Sequence, residues 1–123
     1  MSKIILANGC FDVLHSGHVE HLKEAKALGD VLIVSLTLDE HVNKGPGRPF
    51  NPYSERAVML RALRCVDDVI PTACAVDAIR SLKPDIFVKG IDYASGYFSE
   101  DINGVCADLG IEVAFTNTPK RSA

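Results

Sequence analysis

The sequence has neither an excess of positive charge nor a long apolar run. Its 123 residues carry a formal net charge of −3 and no basic stripe, which argues against a nucleic-acid partner. No apolar run approaches the ~20 residues that a membrane-spanning helix needs. Residues 1–8 contain one lysine and lead directly into an apolar segment, so we expect no secretory signal and no association with a membrane.

Paired cysteines, internal repeats and low-complexity tracts are also lacking. The four cysteines (Cys10, Cys65, Cys74 and Cys106) form no C-x-x-C pair, so we expect reduced thiols in a cytoplasmic protein. With 47% hydrophobic and 24% charged residues, the composition is typical of a globular protein. The length suffices for one hydrophobic core, and we therefore predict a single domain over residues 1–123.

Apolar runs alternate with helical patterns along the chain. We predict strands at residues 3–8, 31–36, 66–70, 85–88 and 111–115. Helices are predicted at residues 17–28, 55–64, 76–82 and 99–109, with a short helical turn at 39–42 that Asp39 caps. Ser54 is the predicted cap of the second helix, whose predicted inward residues are Val58, Met59, Ala62 and Leu63. This alternation predicts an α/β fold with a Rossmann-like, doubly wound, five-stranded parallel sheet.

A turn with two histidines joins the first strand to the first helix. Residues 8–18 read N-G-C-F-D-V-L-H-S-G-H, so His15 and His18 stand at the helix start. A helix start offers unpaired backbone N–H groups and the positive end of the helix dipole, which both suit phosphate. Gly17 lacks a Cβ and lets a ligand approach the backbone closely. We interpret the segment as the phosphate site for a nucleotide.

Other interpretations of these residues remain open. One histidine could cap the helix while the other is exposed. With His21 the spacing becomes His-x-x-His-x-x-His, which suggests a metal site, but steps of three rotate backwards around a helix and separate the rings. Asp12 could bind a metal or a ribose, or it could fix the turn by accepting hydrogen bonds from amides. Phe11 is expected in the core.

Cationic residues occur in the next long loop. Lys44 and Arg48 lie in residues 44–52, which are rich in proline and glycine and too long for a simple connector. We predict that Lys44 approaches a triphosphate; the alternative is solvated surface charge. Arg56 lies near a helix start, where a cation is unfavourable, which suggests that it serves a ligand.

A second polar cluster follows the fourth predicted strand. Lys89, Gly90 and Asp92 come directly after its apolar residues. The carboxyl ends of parallel strands share one edge of the sheet, so this cluster is predicted on the same edge as His15 and His18. The alternative is an ordinary turn at the end of a strand.

Two motifs in the first segment give the chain a family resemblance. Residues 9–12 (G-x-F-D) and 15–18 (H-x-G-H) resemble the cytidylyltransferase-like nucleotidyltransferases, and the resemblance extends from about residue 3 to the end. These enzymes join a nucleoside monophosphate from CTP or ATP to a phosphorylated small molecule and release pyrophosphate. Within the family, residues 44–45, 48–52, Arg56 and 88–93 most resemble the adenylyltransferase domain of ADP-heptose synthesis.

The resemblance implies roles for individual residues. Direct in-line attack on the α-phosphorus is implied, without a covalent enzyme intermediate, and with His15, His18 and Lys44 as catalytic groups. The implied nucleotide-binding residues are Asn8, Gly9, Cys10, Phe11, Asp12, Gly17, Arg56, Lys89, Gly90, Asp92 and Thr118. Mg²⁺ is implied together with the triphosphate, and a homodimer is implied by analogy.

Three functions are compatible with the resemblance. The first is adenylyl transfer from ATP to a heptose 1-phosphate-like sugar phosphate. The second is cytidylyl transfer from CTP to a polyol phosphate such as glycerol 3-phosphate, whose enzymes share the histidines and Arg56 but are less similar over residues 88–93. The family's Ser/Thr-rich motif after the fifth strand has only its start here, at Ser122. A nucleotide-binding module, or half of a longer bifunctional enzyme, is therefore the third expectation.

Overall fold

Strands and helices alternate along the described chain. The computed structural model describes residues 2–42, 46–89 and 102–116. The strands are β1 (Ile4–Gly9), β2 (Val31–Thr37), β3 (Asp68–Thr72), β4 (Ile86–Lys89) and β5 (Glu112–Phe115). The α-helices are α1 (Ser16–Lys26), α2 (Tyr53–Arg61), α3 (Ala75–Leu82) and α4 (Ile102–Leu109), and one 3₁₀ turn spans Asp39–His41. Residues 99–101 of the last predicted helix lie outside the described ranges.

The five strands form one parallel sheet in the order β3-β2-β1-β4-β5. The chain builds one half outward from β1 through β2 to β3, and then crosses back to place β4 and β5 on the other side. The strand order therefore reverses between β1 and β4, which is where sheets of this kind bind ligands, beyond the carboxyl ends of the strands. The predicted doubly wound, five-stranded parallel sheet is confirmed.

Both faces of the sheet are covered, which explains the continuously apolar strands. Along β1, Ile5 and Ala7 join one core cluster with Leu22 of α1 and Leu60 of α2. Leu6, between them, points to the opposite face. There it joins a second cluster whose helical members are Ala75, Ala78, Ile79, Ile102, Val105 and Cys106. The alternation has the period of two that strands impose on their side chains.

The second helix differs from the prediction in its cap and its buried face. Its N-cap is Pro52, which makes no side-chain capping bond, so the predicted cap at Ser54 is wrong. Val58 is 65% exposed and Ala62 is also exposed, whereas the buried residues are Arg56, Ala57 and Leu60. The predicted inward set is therefore wrong at Val58 and Ala62, but Leu63 packs against the core cluster as predicted. Relative to the prediction, α2 is rotated about its own axis, because the Arg56 side chain points inward and forms hydrogen bonds there.

Two further local predictions need correction. The third strand begins two residues later than predicted and includes Pro71, which is tolerated because β3 is an edge strand. The 3₁₀ turn is present, but Leu38 is its N-cap and no side chain caps it, so Asp39 is not a cap.

The four cysteines all lie in the described ranges and are free thiols. Burial raises the pKa of the Cys65 and Cys106 thiols, which disfavours the thiolate form. Among the described helices, none combines the length and the apolar character needed to cross a bilayer.

Candidate active site

Two histidine side chains form the N-terminal cap of α1. The His15 Nδ1 accepts a hydrogen bond from the Gly17 N–H at 3.1 Å, and the His18 Nδ1 accepts one from the His15 N–H at 3.2 Å. The two rings stack with their centroids 3.8 Å apart and an interplanar angle of 25°. The pair therefore forms a reciprocal capping box from imidazoles, and the interpretation in which one histidine caps while the other is merely exposed is wrong.

This capping arrangement determines which ring nitrogen carries the proton. An Nδ1 that accepts an amide hydrogen bond is unprotonated, so the ring proton of His15 and His18 lies on Nε2. Each ring thus keeps one N–H donor that the helix cap does not use. The first turn of α1 contains no acidic residue, so the positive end of the helix dipole is not neutralised locally. The arrangement suits an anion such as a phosphate.

The Phe11 ring packs against the histidine pair through His18. It is buried, as expected, and its ring meets the His18 ring edge-on at a centroid distance of 5.1 Å. The ring also covers Gly9: a Cβ at Gly9 would lie 2.9 Å from Phe11 Cε2. The absence of a side chain at Gly9 therefore lets the Phe11 ring reach its position beside His18.

Asp12 ties the histidine turn to the loop before α2. It is 1% exposed, and its carboxylate accepts hydrogen bonds from the Phe50 N–H at 2.7 Å, the Asn51 N–H at 3.0 Å and the Arg48 Nε at 3.0 Å. The Arg48 guanidinium also donates to the Asp12 carbonyl oxygen. Of the two interpretations from sequence, binding of amides fits these contacts, although the amides belong to a distant loop.

The same contacts set the charge of Asp12. Burial raises the pKa of this carboxyl, but the amides of Phe50 and Asn51 and the Arg48 side chain lower it by more, so the net shift is downward. Asp12 is therefore an ionised, buried acceptor that holds the loop against the turn.

Arg56 is a buried link among the segments that surround the site. It is 1% exposed, and its guanidinium donates to four protein oxygen atoms. The acceptors are the carbonyls of Asn51 (2.9 Å), Cys10 (2.9 Å) and Thr37 (2.8 Å) and the carboxylate of Asp39 (2.5 Å). These contacts give Arg56 a positioning role, and its direct contact with a nucleotide stays a prediction.

The carboxyl end of β4 adds a second cation on the same edge of the sheet. Lys89 is the last residue of β4 and is 6% exposed. Its Nζ lies 3.3 Å from Asn103 Oδ1 and 5.8 Å from the Phe115 ring centroid. Because β4 pairs directly with β1, Lys89 and the histidine turn flank the point where the strand order reverses.

The remaining site predictions fall into two groups. Asn8 accepts a hydrogen bond from the Ser35 hydroxyl at 2.7 Å, and Gly17 is buried at the helix start. The rest lie outside the described residues: Lys44, Gly90, Asp92 and Thr118. The roles of all of them in binding stay predictions.

The sequence interpretation missed one polar contact near the site. The His21 Nδ1 lies 2.7 Å from the Thr116 hydroxyl, across 95 positions of sequence. The third histidine of the H-x-x-H-x-x-H pattern was visible, but its partner could not be read from local spacing. In the described ranges, no group of three or more potential ligands forms a metal-binding cluster.

Comparison with known proteins gives matches over most of the chain. The profile of the cytidylyltransferase-like family matches residues 6–121. The chain is 47% identical over 96 residues to the bifunctional protein HldE of Helicobacter hepaticus, covering 75% of this chain and 20% of that protein. It is 46% identical over 110 residues to the HldE of Aeromonas hydrophila subsp. hydrophila, covering 83% and 23%. The chain thus spans about a fifth of the length of these curated relatives.

Solved structures share the fold. The lipopolysaccharide core biosynthesis protein of Thermoplasma volcanium is 24% identical with a TM-score of 0.80, and the match covers 98% of this chain and 100% of that one. The pantoate-beta-alanine ligase of Francisella tularensis is 18% identical with a TM-score of 0.69, and the match covers 98% and 60%. With the family match over residues 6–121, the histidine turn at the reversal of strand order assigns this chain to the cytidylyltransferase-like family.

Proposed function

We propose that the chain transfers AMP from ATP to the phosphate of a heptose 1-phosphate-like sugar and releases pyrophosphate. The observation that carries the proposal is the stacked pair His15 and His18 at the start of α1, where the Nδ1 atom of each ring is fixed by a backbone N–H and the first turn contains no acidic residue. The choice of ATP and a sugar phosphate rests on the resemblance over residues 88–93 and on the relatives named bifunctional protein HldE.

The chemistry is a phosphoryl-type displacement. An oxygen of the acceptor phosphate attacks the α-phosphorus of ATP, the bond from that phosphorus to the bridging oxygen breaks, and pyrophosphate leaves with the electron pair. Such a step needs positioning and charge stabilisation more than covalent chemistry. In the proposal, the Nε2–H groups of His15 and His18 donate to the phosphate oxygens as negative charge increases on them, and the positive end of the α1 dipole adds to the stabilisation.

Two lysines supply positive charge in this proposal. Lys89 is at the carboxyl end of β4, beside the strand that leads into the histidine turn. Lys44 is assigned to the β- and γ-phosphates from the sequence alone. The nucleotide enters as its magnesium complex, which is the usual form of a triphosphate substrate, with the metal bound mainly by phosphate oxygens and water.

Pyrophosphate release from a panel of substrates tests the proposal. ATP and CTP are each combined with heptose 1-phosphate and glycerol 3-phosphate, in the presence of Mg²⁺. We expect turnover with ATP and heptose 1-phosphate, and little with the other three pairs. Product with CTP alone overturns the adenylyl assignment in favour of cytidylyl transfer. Binding of ATP without turnover on any acceptor identifies a nucleotide-binding module instead.

The location and assembly of the protein belong to the same proposal. We propose a cytoplasmic homodimer, supported by the free thiols of all four cysteines and by analogy with the family. Sedimentation of the purified chain measures the dimer directly, and a monomer at assay concentration that retains full turnover contradicts it.

A further inference from the structure

The contact between His21 and Thr116 joins two separate parts of the candidate site. His21 lies on α1, one turn after His18 and on the same helix as the capping pair. Its Nδ1 is 2.7 Å from the hydroxyl of Thr116, which immediately follows β5 and is 2% exposed. A hydroxyl buried this deeply needs a hydrogen-bond partner, and the imidazole provides it.

Thr116 is in turn bound to the strand that carries Lys89. Its N–H donates to the Lys89 carbonyl at 2.9 Å, which extends the pairing of β4 and β5 by one residue. The backbone of Lys89 is thereby held from the β5 side. A continuous path of two hydrogen bonds, one from a side chain and one from the backbone, runs from α1 through Thr116 to Lys89.

Packing of α1 does not require a polar residue at this position. The buried residues of the helix are Gly17, Leu22 and Ala25, and the last two fill the core cluster beside it. Burial lowers the pKa of His21 and outweighs the raising effect of Glu24, which favours a neutral ring that can exchange a hydrogen bond with a hydroxyl. The imidazole therefore contributes a directed contact in addition to apolar area.

We propose that His21 is a positioning residue for nucleotidyl transfer: through Thr116 it fixes the spacing between the His15–His18 pair and Lys89. The inference rests on the proposed function. Groups on both sides of a transferred phosphate must be correctly placed together in the transition state, whereas either side alone retains some affinity for ATP. Loss of the contact therefore lowers kcat more than it raises KM.

Four substitutions separate the hydrogen bond from simple packing. Thr116→Val and His21→Leu remove it while keeping the site filled. Thr116→Ser keeps the hydroxyl, and His21→Asn keeps a polar atom near the Nδ1 position. We expect the first two to lower kcat about tenfold with KM for ATP changed less than about twofold, and the second two to restore most of the rate. The double variant Thr116→Val/His21→Leu should be no slower than either single variant, because both remove the same contact.

Melting temperature is measured for every variant, and turnover is assayed well below it. A kcat that is unchanged in Thr116→Val refutes the proposal, as does a loss that the serine and asparagine variants fail to restore. Should His21→Leu not fold, Thr116→Val still decides, because it exchanges one hydroxyl for a methyl group. An inactive wild type refutes the proposed function, whereas an active wild type with unaffected variants refutes this inference alone.

Discussion

His15 and His18 each use one ring nitrogen for the fold, and in the proposed function the Nε2–H of each ring donates to phosphate. Their Nδ1 atoms accept the backbone N–H groups of Gly17 and His15, which ordinary helix caps satisfy with Ser, Asp or Asn. An alanine substitution therefore removes a cap and a candidate catalytic donor together. Asparagine separates the two, because its side-chain oxygen can take the place of Nδ1 while nothing replaces Nε2.

We predict that His18→Asn retains the fold and loses turnover. The cap acceptor is kept, so the melting temperature should stay close to that of the wild type. The missing Nε2–H should lower kcat by ~10²–10³, the usual effect of removing one well-placed donor to a transition state. Pyrophosphate release and thermal unfolding measure the two quantities.

The exposed His41 offers a matched control, because it lies on the 3₁₀ turn and its side chain is not part of the cap. His41→Asn should leave kcat unchanged. Near-normal turnover in His18→Asn would remove His18 from the chemistry and leave it as a cap.

At the scale of elements, apolar runs predicted which segments are strands but could not predict how α2 is rotated. The strand and helix order followed from composition and spacing, which are local properties. The buried face of α2 depends on Arg56, whose acceptors at Cys10 and Thr37 are 46 and 19 positions away. The position of Arg56 near a helix start suggested a role in binding a ligand. Only the tertiary contacts show that its guanidinium donates hydrogen bonds to four protein oxygens.

The buried Asp12 carboxylate accepts three hydrogen bonds from the loop before α2, so we predict that Asp12→Asn is strongly destabilising. An amide presents one acceptor oxygen where the carboxylate presents two, and it removes the charge that pairs with Arg48. Breaking a buried ion pair at one partner costs about 3–5 kcal/mol, and we expect the lower part of this range because Arg48 is partly exposed.

Urea unfolding measures the loss in Asp12→Asn. Asp108→Asn, at an exposed carboxylate on α4, is the control and should change the free energy of unfolding by less than about 0.5 kcal/mol. Equal effects of the two substitutions would show that Asp12 does not hold the loop.

At the scale of the whole molecule, the two edges of the sheet use polar groups differently. At the amino edge, the carboxylates of Asp30, Asp85 and Asp67 accept the N–H groups of Lys3, Ile4 and Leu32 at 2.7–2.8 Å. At the carboxyl edge, the side chains of His15, His18 and Lys89 bring hydrogen-bond donors together instead. The location of these residues at one edge was predictable from the sequence, because all strands of a parallel sheet end on the same edge. The contact of His21 with Thr116 was not predictable, since it joins elements that only the folded chain brings together.

We predict that stability decreases as the pH falls below about 6.5. Burial lowers the pKa of His21 from its ordinary value of 6.5, so below that pH the unfolded chain binds a proton more readily than the folded chain does. The free energy of unfolding then falls until the pH reaches the pKa of the folded state, and above about 6.5 His21 has no effect on it. Urea unfolding of the wild type at several pH values between about 7.5 and 5 measures the slope.

His21→Asn removes the titrating group and should flatten this slope. Asp12 and Asp67 do not interfere, because their pKa values are lowered from 3.8 and their stabilising effect is lost only as the pH falls below that value. Identical slopes in the wild type and in His21→Asn would assign the pH dependence to another group.

The Arg56 and Asp12 contacts also have a consequence for protein engineering. Arg56 anchors Thr37 and Asp39 before the long loop and Asn51 after it, and Asp12 anchors the loop again from Arg48 onward. Insertions after Arg48 would pull on these anchors, whereas the stretch between Val42 and Arg48 lies between them. Libraries that vary loop length to change acceptor choice should therefore place their insertions at Pro46 or Gly47, which are exposed and precede Arg48.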